Sequence, residues 1–145
     1  MNHSYTNIPF IKYLLIITIV TLVFLTLNTL VFPKLNYRPM PAGLCDSTYA
    51  SNKAGWVSSL LPPSDKHYIA PLKQNSLSQI AAQIKTAQVV DLNTHFLTAY
   101  RQHSIFAVTD WMCVRSDGAV TSTSTMGYYD FGRNRQWVES VRAHV

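Results

Sequence analysis

The sequence predicts an α+β protein in which one N-terminal transmembrane helix precedes a small domain, with an antiparallel sheet of about four or five strands and two helices on one face. Three observations support this fold class. Residues Tyr13–Phe32 are an uncharged apolar run. After Thr86 the apolar residues change from a helical to an alternating spacing, which indicates strands. Asp117-Gly118, between two such strands, is a strong signal for a hairpin, which joins antiparallel strands.

The apolar run Tyr13–Phe32 has the length of a membrane span. A helix of about 20 residues is about 30 Å long, which matches the hydrocarbon core of a bilayer. A cleaved signal peptide has a shorter apolar core and a small-residue cleavage site, and neither feature is found. Pro33 is expected to end the helix. The prediction is an uncleaved anchor, preceded by a stub, residues 1–12, that is too short to fold.

Several polar side chains of this helix fall on one face. Its residues are Thr18, Thr21, Leu25 and Asn28. Such a stripe can hydrogen-bond to a second membrane helix, so the four residues are candidates for helix docking. In the alternative interpretation each threonine bonds to a carbonyl of its own helix and Asn28 lies near the lipid headgroups.

Residues 33–66 are predicted to form an irregular connector that packs on a domain comprising residues 67–145. Five prolines interrupt the connector, and Pro71 limits the segment His67–Leu72 to a short edge strand. Ser76 and Gln79 have the spacing of a capping box. A helix is therefore expected over Leu77–Thr86, with its apolar residues on one face.

The rest of the chain predicts strands and a final helix. The strands are Gln88–Leu92, His95–Gln102, Ile105–Ser116 and Ala119–Met126. Asn93-Thr94 is the expected turn between the first two. The final helix is expected over Asp130–His144, with Asp130 as its N-cap.

The hairpin at Asp117-Gly118 also predicts a register. A two-residue turn would pair Ser116 with Ala119 and place Asp110 opposite Thr125. Asp110 would then share a face with Phe106, Val108, Met112 and Val114. A buried carboxylate needs partners, and Thr125 is the expected hydroxyl donor.

The composition excludes several classes of function. Twelve Lys and Arg against seven Asp and Glu give a net charge of +5, but the basic residues are scattered, so no nucleic-acid groove is expected. Gly-rich phosphate loops, H-E-x-x-H and C-x-x-C are absent from the sequence. No metal, cofactor or catalytic site is therefore predicted. The two cysteines, Cys45 and Cys113, are either a disulfide or two separate thiols, depending on the compartment.

The segment from Ala119 to Arg142 resembles the C-terminal signature of an uncharacterised family, domain of unknown function 1499. That signature is a strand, then Gly-x-x-Asp-x-Gly-x-Asn-Arg, then an amphipathic helix. The residues that fit it are Gly127, Asp130, Gly132, Asn134 and Arg135. Asp110 matches an acidic position in the preceding strand, and Leu44–Ser47 and Val57–Ser59 resemble an N-terminal signature.

The chain departs from this family at several positions. Trp56 stands where members usually carry a second cysteine, and Thr121 and Thr125 replace two arginines. Thr125 in place of the second arginine would give Asp110 a hydrogen bond where family members would have an ion pair. Family members often carry a secretory signal or an anchor, which implies a periplasmic domain, although the basic residues after the span weakly favour a cytoplasmic one. In the periplasm a Cys45–Cys113 disulfide is a reasonable hypothesis.

The segment Gly127–Arg135 is the best candidate for a site. Its glycines permit unusual backbone angles, and a helix start favours anions. In the alternative interpretation, which the sequence favours, Asp130 caps the helix while Asn134 and Arg135 bond to loop carbonyls.

Three functions remain open. The first is a non-catalytic accessory subunit of a larger membrane complex in the bacterial inner membrane, with lipid and integral membrane proteins as its partners. The second is a membrane-anchored module that binds a lipid or small envelope ligand. The third, a hydrolase, would require Asp110, a histidine and a serine or cysteine within hydrogen-bond reach in a cleft.

Overall fold

The α+β class is confirmed. The computed structural model describes residues 8–73 and 76–145, so most of the predicted stub, residues 1–7, lies outside the described residues. An apolar N-terminal helix is followed by a five-stranded antiparallel sheet with further helices. The order of the strands across the sheet is β1-β5-β4-β3-β2. Their bounds are Trp56–Ser58, Gln88–Leu92, Phe96–Gln102, Thr109–Arg115 and Val120–Ser124 for β1 to β5.

The N-terminal helix is longer than the sequence predicts. Helix α1 covers Ile8–Thr26, a π-helical turn covers Leu27–Val31, and the short helix α2 covers Phe32–Leu35. Pro33 does not end the helix, because it lies in the first turn of α2, where a missing N–H costs little. The apolar part, Phe10–Leu35, is 26 residues long and unburied, and it is long enough to cross a membrane.

The segment treated as an irregular connector contributes to both faces of the sheet. Trp56–Ser58 is the edge strand β1, paired with β5. Leu44 is fully buried against Trp111 and Cys113. Cys45 and Cys113 form a disulfide with their Cα atoms 5.5 Å apart, which confirms that hypothesis.

His67–Leu72, expected as an edge strand, pairs with β1 at a single bridge between Ser58 and Tyr68. The amide of Ser58 donates to the carbonyl of His67, and the amide of Ile69 donates to the carbonyl of Ser58. The chain then leaves the sheet edge, and the amide of Leu72 donates to the carbonyl of Gly118. The predicted strand is therefore wrong in extent, although the segment does lie at the edge.

Helices α3, Leu77–Gln83, and α4, Arg133–Arg142, pack on one face of the sheet around the main core. The capping box of Ser76 and Gln79 is present as predicted. Helix α4 starts three residues later than predicted, because Phe131 and Gly132 adopt left-handed backbone angles. On the opposite face lies the smaller cluster around Leu44, Trp111 and the disulfide.

The predicted register of the β4–β5 hairpin is wrong by one residue. Arg115 pairs with Ala119 across a three-residue loop, and Gly118 supplies the left-handed residue, with φ of 86°. The extra residue in the turn moves Asp110 opposite Ser124 instead of Thr125. Thr125 instead donates its hydroxyl hydrogen bond to the carbonyl of Thr109.

The strand expected at Ile105–Ser116 is shorter at its start. Residues 104–107 form a loop, in which Phe106 and Ala107 have φ of 59° and 48°. Phe106 therefore does not share a strand face with Asp110. Met112 and Val114 do share it, since they belong to the main core under the helices.

Candidate functional site

Asp110 is the centre of a buried polar network on the helix side of the sheet. It is fully buried. Its Oδ1 accepts a hydrogen bond from Ser124 Oγ at 2.5 Å, and its Oδ2 lies 2.6 Å from His103 Nε2 and 3.5 Å from Arg101 Nη2. The prediction that Asp110 has a hydrogen bond in place of an ion pair is therefore wrong. Thr125 in the hairpin carries no charge, but Arg101 in β3 supplies the cation.

Asn134 links this network to the start of α4. Its Nδ2 donates to Ser124 Oγ at 2.9 Å, to Gly55 O at 3.1 Å and to Asp130 Oδ2 at 2.8 Å. Its Oδ1 accepts from Ser122 Oγ at 2.6 Å. A Cβ on Gly55 would lie 2.9 Å from Asp130 Cβ, so this close packing requires a glycine in the turn before β1.

Asp130 satisfies the first amides of α4 without being its N-cap residue. Its Oδ1 accepts from the amide of Gly132 at 3.0 Å, and its Oδ2 accepts from the amide of Asn134 at 2.8 Å. Because a buried carboxylate already occupies these donors, the helix start has little capacity left for a further anion. Gly127, with φ of 75°, lies in the exposed loop before it.

His103 and Ser124 each lie within hydrogen-bond reach of Asp110, and these are the residue types named above for a hydrolase. Their order is different from that of a catalytic triad. The carboxylate lies between the hydroxyl and the imidazole, whereas in a triad the histidine lies between the acid and the nucleophile. Ser124 is only 3 % exposed. His103 is therefore not placed to take the serine proton, nor is the serine open to a substrate.

Arg101 is the cation nearest to Asp110, and it is held in an apolar setting. Its guanidinium lies 4.5 Å from the centre of the Trp137 ring and donates to the carbonyl of Arg133 at 2.9 Å. Burial lowers the pKa of Arg101 below its usual value, and the charge of Asp110 opposes that shift. Arg101 and Asp110 are therefore a partly buried ion pair, in which the fully buried carboxylate depends on the cation.

Arg135 points away from the network and lines an open cleft of about 260 Å³. Its Nη2 donates to the carbonyls of Lys66 and Tyr68 at 3.1 and 2.8 Å. Trp56 also lines the cleft. Its ring stacks on His67, and its buried Nε1 has no hydrogen-bond partner among the described residues.

The helix stripe divides into two parts. Thr18 donates to the carbonyl of Leu14 in its own helix, as the alternative interpretation predicts. Thr21 and Leu25 are exposed. Asn28 contacts the loop between β3 and β4: its Nδ2 donates to Ser104 O, and its Oδ1 accepts from the amide of Phe106 at 2.8 Å.

Further contacts join the end of the apolar helix to the same end of the sheet. Gln102 donates to the carbonyl of Pro33 at 2.8 Å, and Thr109 donates to that of Asn36 at 2.8 Å. Trp111 Nε1 donates to the carbonyl of Arg38 at 2.9 Å. The helix and the domain are therefore joined through ordered contacts.

Sequence reasoning missed several residues of these sites, namely Arg101, His103, Ser124, Gly55 and Phe106. Strand alternation in β3 would have placed Arg101 on the face of Leu97 and Ala99. Ser124 was missed because of the register error. Nothing in the spacing of the chain indicates that Phe106 meets Asn28.

The fold and its sites define a class only: an α+β domain with one disulfide, joined to a candidate membrane span. The chain matches no protein-family model, no curated protein and no solved structure. The resemblance to domain of unknown function 1499 therefore stays a prediction.

Proposed function

We propose that the protein is a non-catalytic, single-span accessory subunit of a larger membrane protein complex in the bacterial inner membrane, with its α+β domain on the periplasmic side. One observation carries the proposal: the domain is held against the end of the helix by Asn28, Gln102 and Thr109. An anchor that only retains an enzyme at the membrane needs no such contacts, whereas a subunit that fits a larger assembly must present helix and domain in one fixed arrangement.

Two further features support this proposal. The disulfide between Cys45 and Cys113 is typical of an oxidising compartment such as the periplasm. The buried network around Asp110 has the contacts of a structural element, since Ser124 and His103 both bond to the carboxylate. That arrangement supports the non-catalytic role in the proposal.

Thr21 and Leu25, the residues of the helix face that the domain does not contact, are the expected contact with the partner subunit. Thr21 is exposed, and it lies on the N-terminal side of the region that the domain covers. Residues two apart on a helix are about 200° apart around its axis, so Val23 lies on nearly the opposite face. Val23 is 53 % exposed and serves as the matched control.

The test is purification of the full chain through a C-terminal tag in mild detergent, with Thr21→Trp and Val23→Trp compared with the wild type. We expect an integral membrane protein to copurify in stoichiometric amounts with the wild type and Val23→Trp and to be lost with Thr21→Trp. A chain that always purifies alone, or a partner lost equally with both variants, contradicts the proposal.

The cleft beside Arg135 favours a second candidate, a membrane-anchored module that binds a small anionic envelope ligand. Lys66 and Arg135 line the cleft and supply positive charge there. Native mass spectrometry of the detergent-purified protein is the test. A retained small molecule that Lys66→Ala releases supports this function, and a spectrum of the bare chain opposes it.

A further inference from the structure

Two loops at one end of the sheet expose large apolar side chains. The first, residues 104–107, joins β3 to β4 and exposes Ile105 and Phe106 by 59 and 53 %. The second, residues 125–132, joins β5 to α4 and exposes Tyr128, Tyr129 and Phe131 by 69, 59 and 76 %. Water-exposed side chains of this size, clustered on two loops, mark a surface that contacts something apolar.

The register places both loops at the same end of the sheet. Gln102 pairs with Thr109 where the first loop leaves β3 and enters β4. Asp110 pairs with Ser124, and the amide of Thr125 donates to the carbonyl of Thr109 where the second loop leaves β5. Because β4 and β5 are neighbours, the end of the first loop and the start of the second lie on adjacent strands.

This end of the sheet is also where the apolar helix ends. The ring of Phe106 lies 6.3 Å from that of Phe24 and 5.6 Å from that of Phe32. Phe106 therefore lies beside the last turns of the apolar helix. A span centred on Tyr13–Phe32 has Asn28 about 8 Å from the bilayer centre, which is inside a hydrocarbon half-thickness of about 15 Å.

The polar groups where the first loop meets the helix are paired with one another. Asn28 bonds to Ser104 and Phe106, and Asn36 Nδ2 donates to the carbonyl of Phe106. Irregular backbone is tolerated at membrane depth only where its N–H and C=O groups have partners. The contacts with the helix meet that requirement for the carbonyl of Ser104 and for the amide and carbonyl of Phe106.

The second loop has side chains suited to the membrane interface. Tyrosine is enriched at the headgroup level, where its ring is apolar and its hydroxyl stays wet. Tyr129 and Phe131 pack edge to face with their ring centres 5.2 Å apart. Phe131 has φ of 57°, a conformation that side chains larger than glycine rarely adopt.

We propose that these two loops form a second membrane contact, in which residues 104–107 and 127–131 insert into the lipid leaflet where the helix ends. The proposal rests on the proposed membrane span and goes beyond it, because the domain itself then binds lipid. The surface of the domain facing the bilayer is fixed by these loops, whatever the partner subunit is.

The test uses the full chain in liposomes of phosphatidylcholine and phosphatidylglycerol, with and without lipids brominated on their acyl chains. Single cysteines are introduced by Phe131→Cys, Thr94→Cys and Val20→Cys and labelled with an environment-sensitive fluorophore. Both native cysteines are in the disulfide, so only the new thiol reacts. Thr94 is exposed in the turn between β2 and β3, at the opposite end of the sheet. Val20 is in the apolar helix.

We expect brominated lipids to quench the label at Phe131→Cys and Val20→Cys by at least half and to leave Thr94→Cys unchanged. Quenching at Val20→Cys without quenching at Phe131→Cys overturns the second contact and leaves the span intact. A label at position 131 that is blue-shifted but unquenched also overturns it, because a protein then covers the loop. Absence of quenching at Val20→Cys shows that the underlying span has failed.

Discussion

The network around Asp110 shows how one buried carboxylate orders several elements of this fold. Ser124 reaches it from β5, while Arg101 and His103 reach it from β3. Asn134 then connects Ser124 to Asp130 and to Gly55. Because removal of one partner leaves a buried charge without compensation, the contacts of Asp110 are expected to matter more than those of any surface ion pair.

Asp110→Asn is expected to lower the free energy of unfolding by about 2 kcal/mol. This value is below the full cost of breaking a buried ion pair, because Arg101 and His103 are partly exposed. Chemical denaturation of the detergent-solubilised protein, followed by near-UV circular dichroism, measures the change. The matched control is Asp117→Asn, which removes the charge from the exposed pair with Arg115 and is expected to cost about 0.5 kcal/mol. Equal losses for the two variants contradict this ranking.

Asn134→Ala is expected to cost about 3 kcal/mol, since it leaves the buried Ser122 hydroxyl and Gly55 carbonyl with fewer partners and opens a gap under α4. Asn52, whose side chain is exposed, gives the control Asn52→Ala, with an expected change within about 0.5 kcal/mol. The same denaturation measurement applies. A fully stable Asn134→Ala protein would show that Ser124 and Asp130 rearrange without it.

Sequence reasoning identified Asp110 as a buried group but assigned it the wrong donor. Alternation in β4 is enough to place Asp110 with Met112 and Val114 under the helices. Its hydroxyl partner depends on the number of residues in the turn, and a loop of three residues instead of two replaces Thr125 with Ser124. The cation was missed because strand pairing with β3 is a long-range property.

At the scale of elements, the disulfide fixes the chain before β1 on the outer face of the sheet. Cys45 precedes β1 and Cys113 lies in β4, at a sequence separation of 68. The apolar cluster on that face is small and centres on Leu44, Trp111 and Cys113. Its burial alone is a weak attachment for a segment containing several prolines, so the covalent link is expected to carry much of the attachment.

Cys45→Ser combined with Cys113→Ala is expected to lower the free energy of unfolding by about 4 kcal/mol, because a closed loop of this length restricts the unfolded chain strongly. Thermal unfolding with and without reductant measures it. The wild type should lose stability in reductant, while the double variant, as the control, should not respond. A mass spectrum of non-reduced protein with two free thiols would contradict the disulfide itself.

Local chemistry predicted the elements better than their ends. The capping box at Ser76 and Gln79 is satisfied within four residues, so the sequence alone identifies the start of α3. Pro33 was misjudged because a π-helical turn places it in a first turn, where its missing N–H is harmless. The strand at Trp56–Ser58 was missed because its pairing with β5 is set by tertiary contacts.

At the scale of the whole molecule, the junction between helix and domain decides how the protein can act. Asn28 is the polar residue of the stripe that the domain itself uses. Thr26 is a useful contrast, because its hydroxyl donates to the carbonyl of Leu22 in the same helix at 2.9 Å. Only the first of these contacts holds the two parts together.

Asn28→Leu is therefore expected to release the loop of residues 104–107 while keeping the helix apolar. The amide of Phe106 loses its acceptor, Asn28 Oδ1, which lies 2.8 Å away in the wild type. Because one hydrogen bond contributes about 1 kcal/mol, hydrogen exchange at the amide of Phe106 should become about fivefold to tenfold faster. Exchange measured by NMR in nanodiscs tests this, with Thr26→Val as the control that leaves the amide of Phe106 unchanged. Equal exchange in both variants would mean that Asn28 does not protect the amide of Phe106, and that the contacts of Pro33 and Asn36 hold the loop instead.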